Sequence, residues 1–376
     1  MIYLDYTSTT PVNDEVLNSF IQTTKNFWGN PSSLHKFGLI SDNLLSIARK
    51  QICELIGAKN HEVIFTSSAT EASNLAIRGV CGKYRERGNH IITTVIEHPS
   101  VYNTFQDLEK QGFDVTYLEV NSYGQINLDS LQKAIRKDTI LVSMMCVNNE
   151  IGSILPIHEV GKILQGYYKI VFHVDLVQAI GKIPINISDM NIDLASISAH
   201  KIYGLKGSGA LFKRQDIELV PQLTGGSQEF KLRAGTVDVP SAVALAKAMR
   251  LILANLDKNY AHVKRLNNRL RDILSQYDVI RINSPIEHCS PFIINCSLKG
   301  IKGETFVHAF EEHEIYFSTK SACSSKVVEA SRVLKAIGLD DELASNEIRI
   351  SLSHLTTDEE IDKFSKVLRE VIEELK

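Results

Sequence analysis

Lys201 follows the apolar run Leu194–Ser198, inside Ser198-Ala199-His200-Lys201-Ile202-Tyr203-Gly204. A lysine just past a strand end, in a cleft, loses solvation and becomes a nucleophile able to form an imine. Taken alone, such a lysine is more often solvated surface. Asp175 ends the preceding apolar run, in His173-Val174-Asp175-Leu176-Val177-Gln178, and 201 − 175 puts it 26 residues before Lys201. A carboxylate at that point needs a cation or hydrogen-bond donors. A protonated pyridine nitrogen is one such partner; capping a following helix is the alternative use. The third feature is Phe65-Thr66-Ser67-Ser68-Ala69-Thr70-Glu71, where a strand end meets a helix start with the Ser68-x-x-Glu71 spacing of a capping box. The free amides and positive end of that helix suit a phosphate, although capping alone would explain the pattern. An imine lysine, a pyridinium acid and a phosphate site are the fixtures that pyridoxal phosphate needs.

A fourth candidate is Cys323, in Ser318-Thr319-Lys320-Ser321-Ala322-Cys323-Ser324-Ser325-Lys326. Its small, hydroxylated neighbours predict an exposed loop. Lys320 and Lys326 favour a thiolate over a thiol, whose ordinary pKa is about 8.5. The other cysteines, Cys53, Cys81, Cys146, Cys289 and Cys296, are scattered and form no C-x-x-C pair. That pattern predicts neither a zinc site nor a disulfide scaffold, but reduced thiols of the cytoplasm.

These residues need strands and helices to hold them. Strand-like runs lie at 63–66, 91–96, 115–120, 140–147, 170–174, 194–198 and 210–213. Helix-like stretches at 41–56, 71–85, 100–111, 128–136 and 157–165 fall between most of them. Such alternation predicts an α/β fold with a mainly parallel sheet covered on both faces, and a site at the carboxyl ends of its strands. Two long helices at 239–256 and 260–276 then change the pattern, followed by strands at 292–296 and 348–352 and a helix at 358–375. A smaller α/β domain is expected there. Gly207-Ser208-Gly209 comes late and precedes a strand, which argues against a nicotinamide-binding fold.

The 376 residues are expected to form two domains. A net charge of −3 gives no basic field, so direct nucleic-acid binding is not expected. No run is long and apolar enough for a membrane span, and Met1-Ile2-Tyr3-Leu4-Asp5 lacks the character of a secretory leader.

The motifs together resemble the cysteine desulfurases of the NifS/IscS type, within the class V aminotransferase group. The resemblance runs from Tyr3 to about Asp362. Besides the segments above, it rests on Tyr3-Leu4-Asp5-Tyr6, Gly29-Asn30-Pro31-Ser32-Ser33-Leu34-His35, Glu97-His98 and Val147-Asn148-Asn149-Glu150-Ile151-Gly152, and on Arg233-Ala234-Gly235-Thr236 and Arg349-Ile350-Ser351-Leu352. It implies fold type I of the pyridoxal-phosphate enzymes, with a seven-stranded, mainly parallel sheet flanked by helices. Residues 15–256 would form the large cofactor-binding domain; 1–14 plus 257–376 would form the small one, carrying the cysteine.

The resemblance also implies roles. Lys201 would hold pyridoxal 5'-phosphate, Asp175 would pair with its ring nitrogen, and His98 would stack on the ring and take part in catalysis. Asn149 and Gln178 would reach the phenolic oxygen. Thr70, Ser198 and His200 would hold the phosphate, and Thr236 would reach the same phosphate across a homodimer interface. Arg349 and Asn30 would bind the substrate, L-cysteine, with Arg349 on its carboxylate. Cys323 would take the sulfur as a persulfide and leave alanine. A persulfide acceptor is then needed, an iron–sulfur scaffold or a tRNA sulfurtransferase. The divergent loop around Cys323 points mildly to the second. Departures from the family pattern include Ser8 for alanine, Ser68 for glycine, Leu205 for proline, Lys320 for glycine, Ser353-His354 for Gly-Arg and an altered stretch at 224–231. None removes a catalytic group.

Overall fold

The computed structural model describes residues 1–319 and 330–375. The chain opens with a two-residue strand, β1 (Ile2–Tyr3), and two helices, α1 (Asp14–Asn26) and α2 (Lys36–Leu55). Strands and helices then alternate. β2 (His61–Thr66), α3 (Ala69–Tyr84), β3 (His90–Thr94), α4 (Pro99–Lys110) and β4 (Asp114–Leu118) come first. α5 (Leu128–Ala134), β5 (Thr139–Met145), α6 (Ile157–Leu164), β6 (Val171–Asp175), β7 (Leu194–Ser198) and β8 (Gly209–Arg214) follow.

Those seven strands form one sheet in the order β2-β8-β7-β6-β5-β3-β4. Only β8 runs against its neighbours. Every residue of β5, β6 and β7 is buried, because helices cover both faces of a sheet connected this way. That is why these segments read as continuous apolar runs. One polar ladder crosses them: His173 bonds Ser143 Oγ through Nδ1 (2.8 Å) and Ser196 Oγ through Nε2 (2.9 Å). Burial pushes this imidazole down to about 3, so it is neutral and acts as a cross-strand tie.

The rest of the chain carries a second core, while residues 242–252 and 333–344 pack on the first. α7 (Val239–Ala254) and α8 (Leu256–Leu274) meet at a 65° bend. α8 thus begins four residues earlier than its sequence pattern suggests, with Asn255 the only break. β9 (Ile280–Ile282), β10 (Ile293–Leu298), α9 (Gly303–Glu311), β11 (Ile315–Tyr316), α10 (Arg332–Ala336), α11 (Asp341–Ser345), β12 (Glu347–Ser351) and α12 (Asp358–Glu374) complete it. β12-β10-β9 is an antiparallel sheet, and β11 pairs in parallel with β1, tying the amino terminus to this region. Phe306, Phe310, Phe317 and Phe364 pack ring against ring behind it. α12 starts in a complete capping box between Thr357 and Glu360.

Candidate active site

The carboxyl ends of the central strands converge because the register aligns them. Met145 pairs with Asp175, Asp175 with Ser196, and Gly209 with both Ser198 and Thr66. A cavity of about 200 Å³ opens there, lined by Thr70, His98, Asn149, Asp175, Gln178, Ser198, His200, Lys201 and Arg349, with Thr7 and Ser8 from the amino terminus.

Its phosphate-like end is the start of α3. The first backbone N–H groups of any helix lack intrahelical partners, and Ser68, Ala69 and Thr70 line the cavity here. Gly209 lets β8 come this close: a Cβ there would stand 2.7 Å from the Ser68 carbonyl carbon and 3.0 Å from the Ala69 nitrogen. The capping box expected at this helix is only half made. Ser68 Oγ does accept the Glu71 N–H (3.2 Å). The Glu71 carboxylate, however, accepts from Ser67 N–H (2.7 Å) and from Arg233 Nε (2.8 Å). The cation pulls Glu71 outward and ties α3 to the segment bearing Thr236.

At the opposite end, Asp175 is 6 % exposed, and burial pushes its carboxyl up to about 6. Oδ1 accepts the Val177 N–H (2.9 Å) within a turn. No helix follows Asp175, so the helix-cap alternative has nothing to cap. Lys201 sits in a short 3₁₀ turn after β7, and its Nζ donates to the carbonyl oxygens of Thr7 and Ser8, both at 2.6 Å. His98 is the N-cap of α4. Its Nδ1 accepts the Ser100 N–H (3.1 Å), which assigns the proton of the neutral ring to Nε2 and fixes the ring plane. Burial, reinforced by Lys201, pushes this imidazole down to about 4; burial and the same lysine do likewise to His200.

Arg349, in the middle of β12, is 2 % exposed. It donates to Asn149 O (3.1 Å), Asp5 Oδ1 (3.1 Å) and Ser8 Oγ (2.7 Å). Backbone bonds in both directions join it to Ser318, which stands five residues before Cys323 in sequence. Cys323 itself lies outside the described residues. Burial pushes all five other thiols upward, to between about 11 and about 12. They are protonated at neutral pH and poor nucleophiles.

Two candidates stay away from the cavity of their own chain. Thr236 is exposed, and Asn30 is exposed with its Oδ1 occupied by the Ser32 N–H (2.9 Å). Three groups had no role in the sequence reading. Glu97 is 1 % exposed, and burial pushes it up to about 8. Its Oε1 accepts from Thr94 Oγ1 (2.7 Å) and Met145 N–H (3.0 Å), locking β3 to β5 beneath His98. Arg332 stacks 3.6 Å over the Tyr102 ring and donates to Glu97 O (2.5 Å). Lys182 donates to Gln178 Oε1. Only the Glu97-His98 pair offered a sequence signal for any of them. Lys182 follows Gln178 by four residues, but in a turn, where that spacing has no periodic meaning.

A planar protonated pyridine bearing a phosphate fits this donor set. The α3 start faces the phosphate end, the buried Asp175 carboxylate answers a ring cation, and Lys201 stands between them.

The family described as Aminotransferase class-V matches residues 2–364. The chain is 44% identical over 380 residues to a protein named cysteine desulfurase IscS from Buchnera aphidicola subsp. Baizongia pistaciae, covering 100% of this chain and 93% of that one. It is 42% identical to the protein of that name from Dictyoglomus turgidum, covering 100% and 95%. Among solved structures it resembles a NifS-like protein with a TM-score of 0.93, 36% identity and complete coverage of both chains. It also resembles SspA in complex with cysteine, with a TM-score of 0.82 and 34% identity over 95% of this chain and 100% of that one.

Proposed function

Taking as premise that the chain belongs to the class-V aminotransferase family and is a pyridoxal-phosphate-dependent cysteine desulfurase, we propose how its residues divide the work. Bound pyridoxal phosphate supplies the electron sink that lets cysteine lose its sulfur. Lys201 anchors the cofactor, and Thr70, Ser198 and His200 take its phosphate at the α3 start. Asp175 keeps the ring nitrogen protonated; a cation there offsets the cost of burying the carboxylate. His98 presents a flat, neutral imidazole to the ring. Asn149 and Gln178 hold the phenolic oxygen. Arg349 takes the carboxylate of cysteine bidentately, a task suited to a planar guanidinium. Cys323 attacks the cysteine sulfur, keeps it as a persulfide, and alanine departs. Cys323 follows Ser318, which is bonded to Arg349 through the backbone, by only five positions in sequence.

The observation that carries this reading is the meeting of Lys201, Asp175 and the α3 start around one cavity. Mass spectrometry after incubation with cysteine, without reductant, tests it. A one-sulfur mass increase should map to the peptide holding Cys323 and vanish in Cys323→Ser. The same increase on Cys289 or Cys81 would contradict it.

We read the working unit as a homodimer in the cytoplasm. The exposed Thr236 and the exposed apolar side chains Trp28, Leu34, Leu39 and Ile47 near the start of the chain support a second copy, in which Thr236 and Asn30 serve the neighbouring site. Residues 15–256 would then be the large domain, and 1–14 with 257–376 the small one. The persulfide passes to an acceptor protein, an iron–sulfur scaffold or a tRNA sulfurtransferase.

A further inference from the structure

Lys182 is an unusual group to bury. The residue is 8 % exposed, and its ammonium donates to Gln178 Oε1. Among the described residues no carboxylate forms an ion pair with it, and the charges that bear on it are two more cations, Lys201 and Arg349. Burial first, and those cations second, push it down to about 7. The pocket beside it is lined by Tyr6, Lys201, Tyr203 and His354, which adds no acid. A buried cation without an anion is costly unless something from outside the chain supplies the negative charge.

The contact with Gln178 has a directional consequence. With an anion bound in the neighbouring cavity Lys182 would keep its proton, and an ammonium can only donate, so the amide atom facing it must be the oxygen. The Gln178 amide nitrogen then points the other way. One of its hydrogens goes to Thr7 O (3.2 Å), and the residue lines the main cavity, where the second is available. Without the lysine, the Thr7 carbonyl alone would hold the amide in this sense, through one hydrogen bond of 3.2 Å, and the amide would be less firmly fixed.

We propose that Lys182 is a positioning residue that locks the Gln178 amide with its N–H toward the cavity, so that the phenolic oxygen of bound pyridoxal phosphate is held as an anion. The proposal rests on the reading of Gln178 as a ligand of that oxygen. A donor and a nearby cation both weaken the oxygen's hold on the proton it shares with the Lys201 nitrogen. That proton is therefore lost at a lower pH than it would be without Lys182.

The test is a pH titration of the visible absorbance of the holoenzyme, which needs no turnover. Lys182→Met should raise the midpoint by about one pH unit, equivalent to about 1.4 kcal/mol, and weaken cofactor retention on dialysis. Lys182→Arg, which keeps the charge and the donor, should titrate like the parent. Gln178→Leu should shift the midpoint in the same direction as Lys182→Met. Should the Met variant fail to fold, Lys182→Gln replaces it, with a raised midpoint expected. A parent-like midpoint in Lys182→Met or Lys182→Gln, with Gln178→Leu shifted, overturns the proposal and leaves the Gln178 reading standing. A parent-like midpoint in Gln178→Leu overturns that reading, and the proposal with it.

Discussion

Asp175 and Thr236 are both assigned to one cofactor, yet the fold treats them in opposite ways. Asp175 ends a fully buried strand and is fixed by register to Met145 and Ser196. Thr236 is exposed on a connecting segment, tied to the helix start through the Arg233–Glu71 contact. The first belongs to the part of the site that a single chain builds. The second belongs to surface that a single chain leaves open. Burial is what separates them. The sheet makes its strand ends precise, whereas a segment without a core face takes its position from whatever covers it.

Substitutions on the two sides of this divide should behave differently. Asp175→Asn removes one partner of a buried ion pair, which typically costs about 3–5 kcal/mol. Desulfuration should fall by about 10²–10⁴-fold with the fold and the dimer retained. Near-normal turnover would remove the electronic role of the carboxylate. Thr236→Ala should weaken cofactor binding by about 10–100-fold, since one hydrogen bond to a charged group contributes about 1.5–3 kcal/mol. The loss should track the other subunit's site. In mixed dimers with a Lys201→Ala chain, the cofactor should loosen when Thr236→Ala and the intact Lys201 lie on different chains. It should stay as in the parent when both lie on the same chain. The reverse pattern would make the chain self-sufficient.

His98 offers a smaller, pH-dependent effect on the buried side. Its folded value of about 4 lies below the ordinary imidazole value of 6.5, so between these limits the folded state binds fewer protons than the unfolded state. The resulting stability is complete above pH 6.5 and is lost as the pH falls toward 4. In cofactor-free protein, His98→Asn should reduce the drop in Tm across that window by about 2–4 °C. His200, also held near 4, and His173, held near 3, contribute to the rest of the slope.

The same divide separates what the sequence revealed from what it hid. Asp175 and Lys201 could be read because each ends a strand whose apolar run is visible locally. The contacts that complete the site join residues far apart in the chain. Lys201 meets the Thr7 and Ser8 carbonyls across 194 and 193 residues. Two-residue strands such as β1 and β11 carry no periodicity, so their pairing had no signal. α1 also went unread, being rich in Asn, Gln and Thr with few buried positions; its start is set by the Asn13 side chain accepting from Glu15 and Val16. The half-made capping box at Ser68 shows the limit of local patterns. The spacing was right, but Arg233, 162 residues away, decided where Glu71 points.

The central claim is that the lysine beside Asp175 and the α3 start anchors the cofactor. Lys182, buried behind Gln178, is the nearest rival. Borohydride reduction of the holoenzyme followed by peptide mapping discriminates between them directly. The account predicts one pyridoxyl group per chain, on Lys201, and none in Lys201→Ala. A pyridoxyl group on Lys182, or on any other lysine of the parent enzyme, would contradict it.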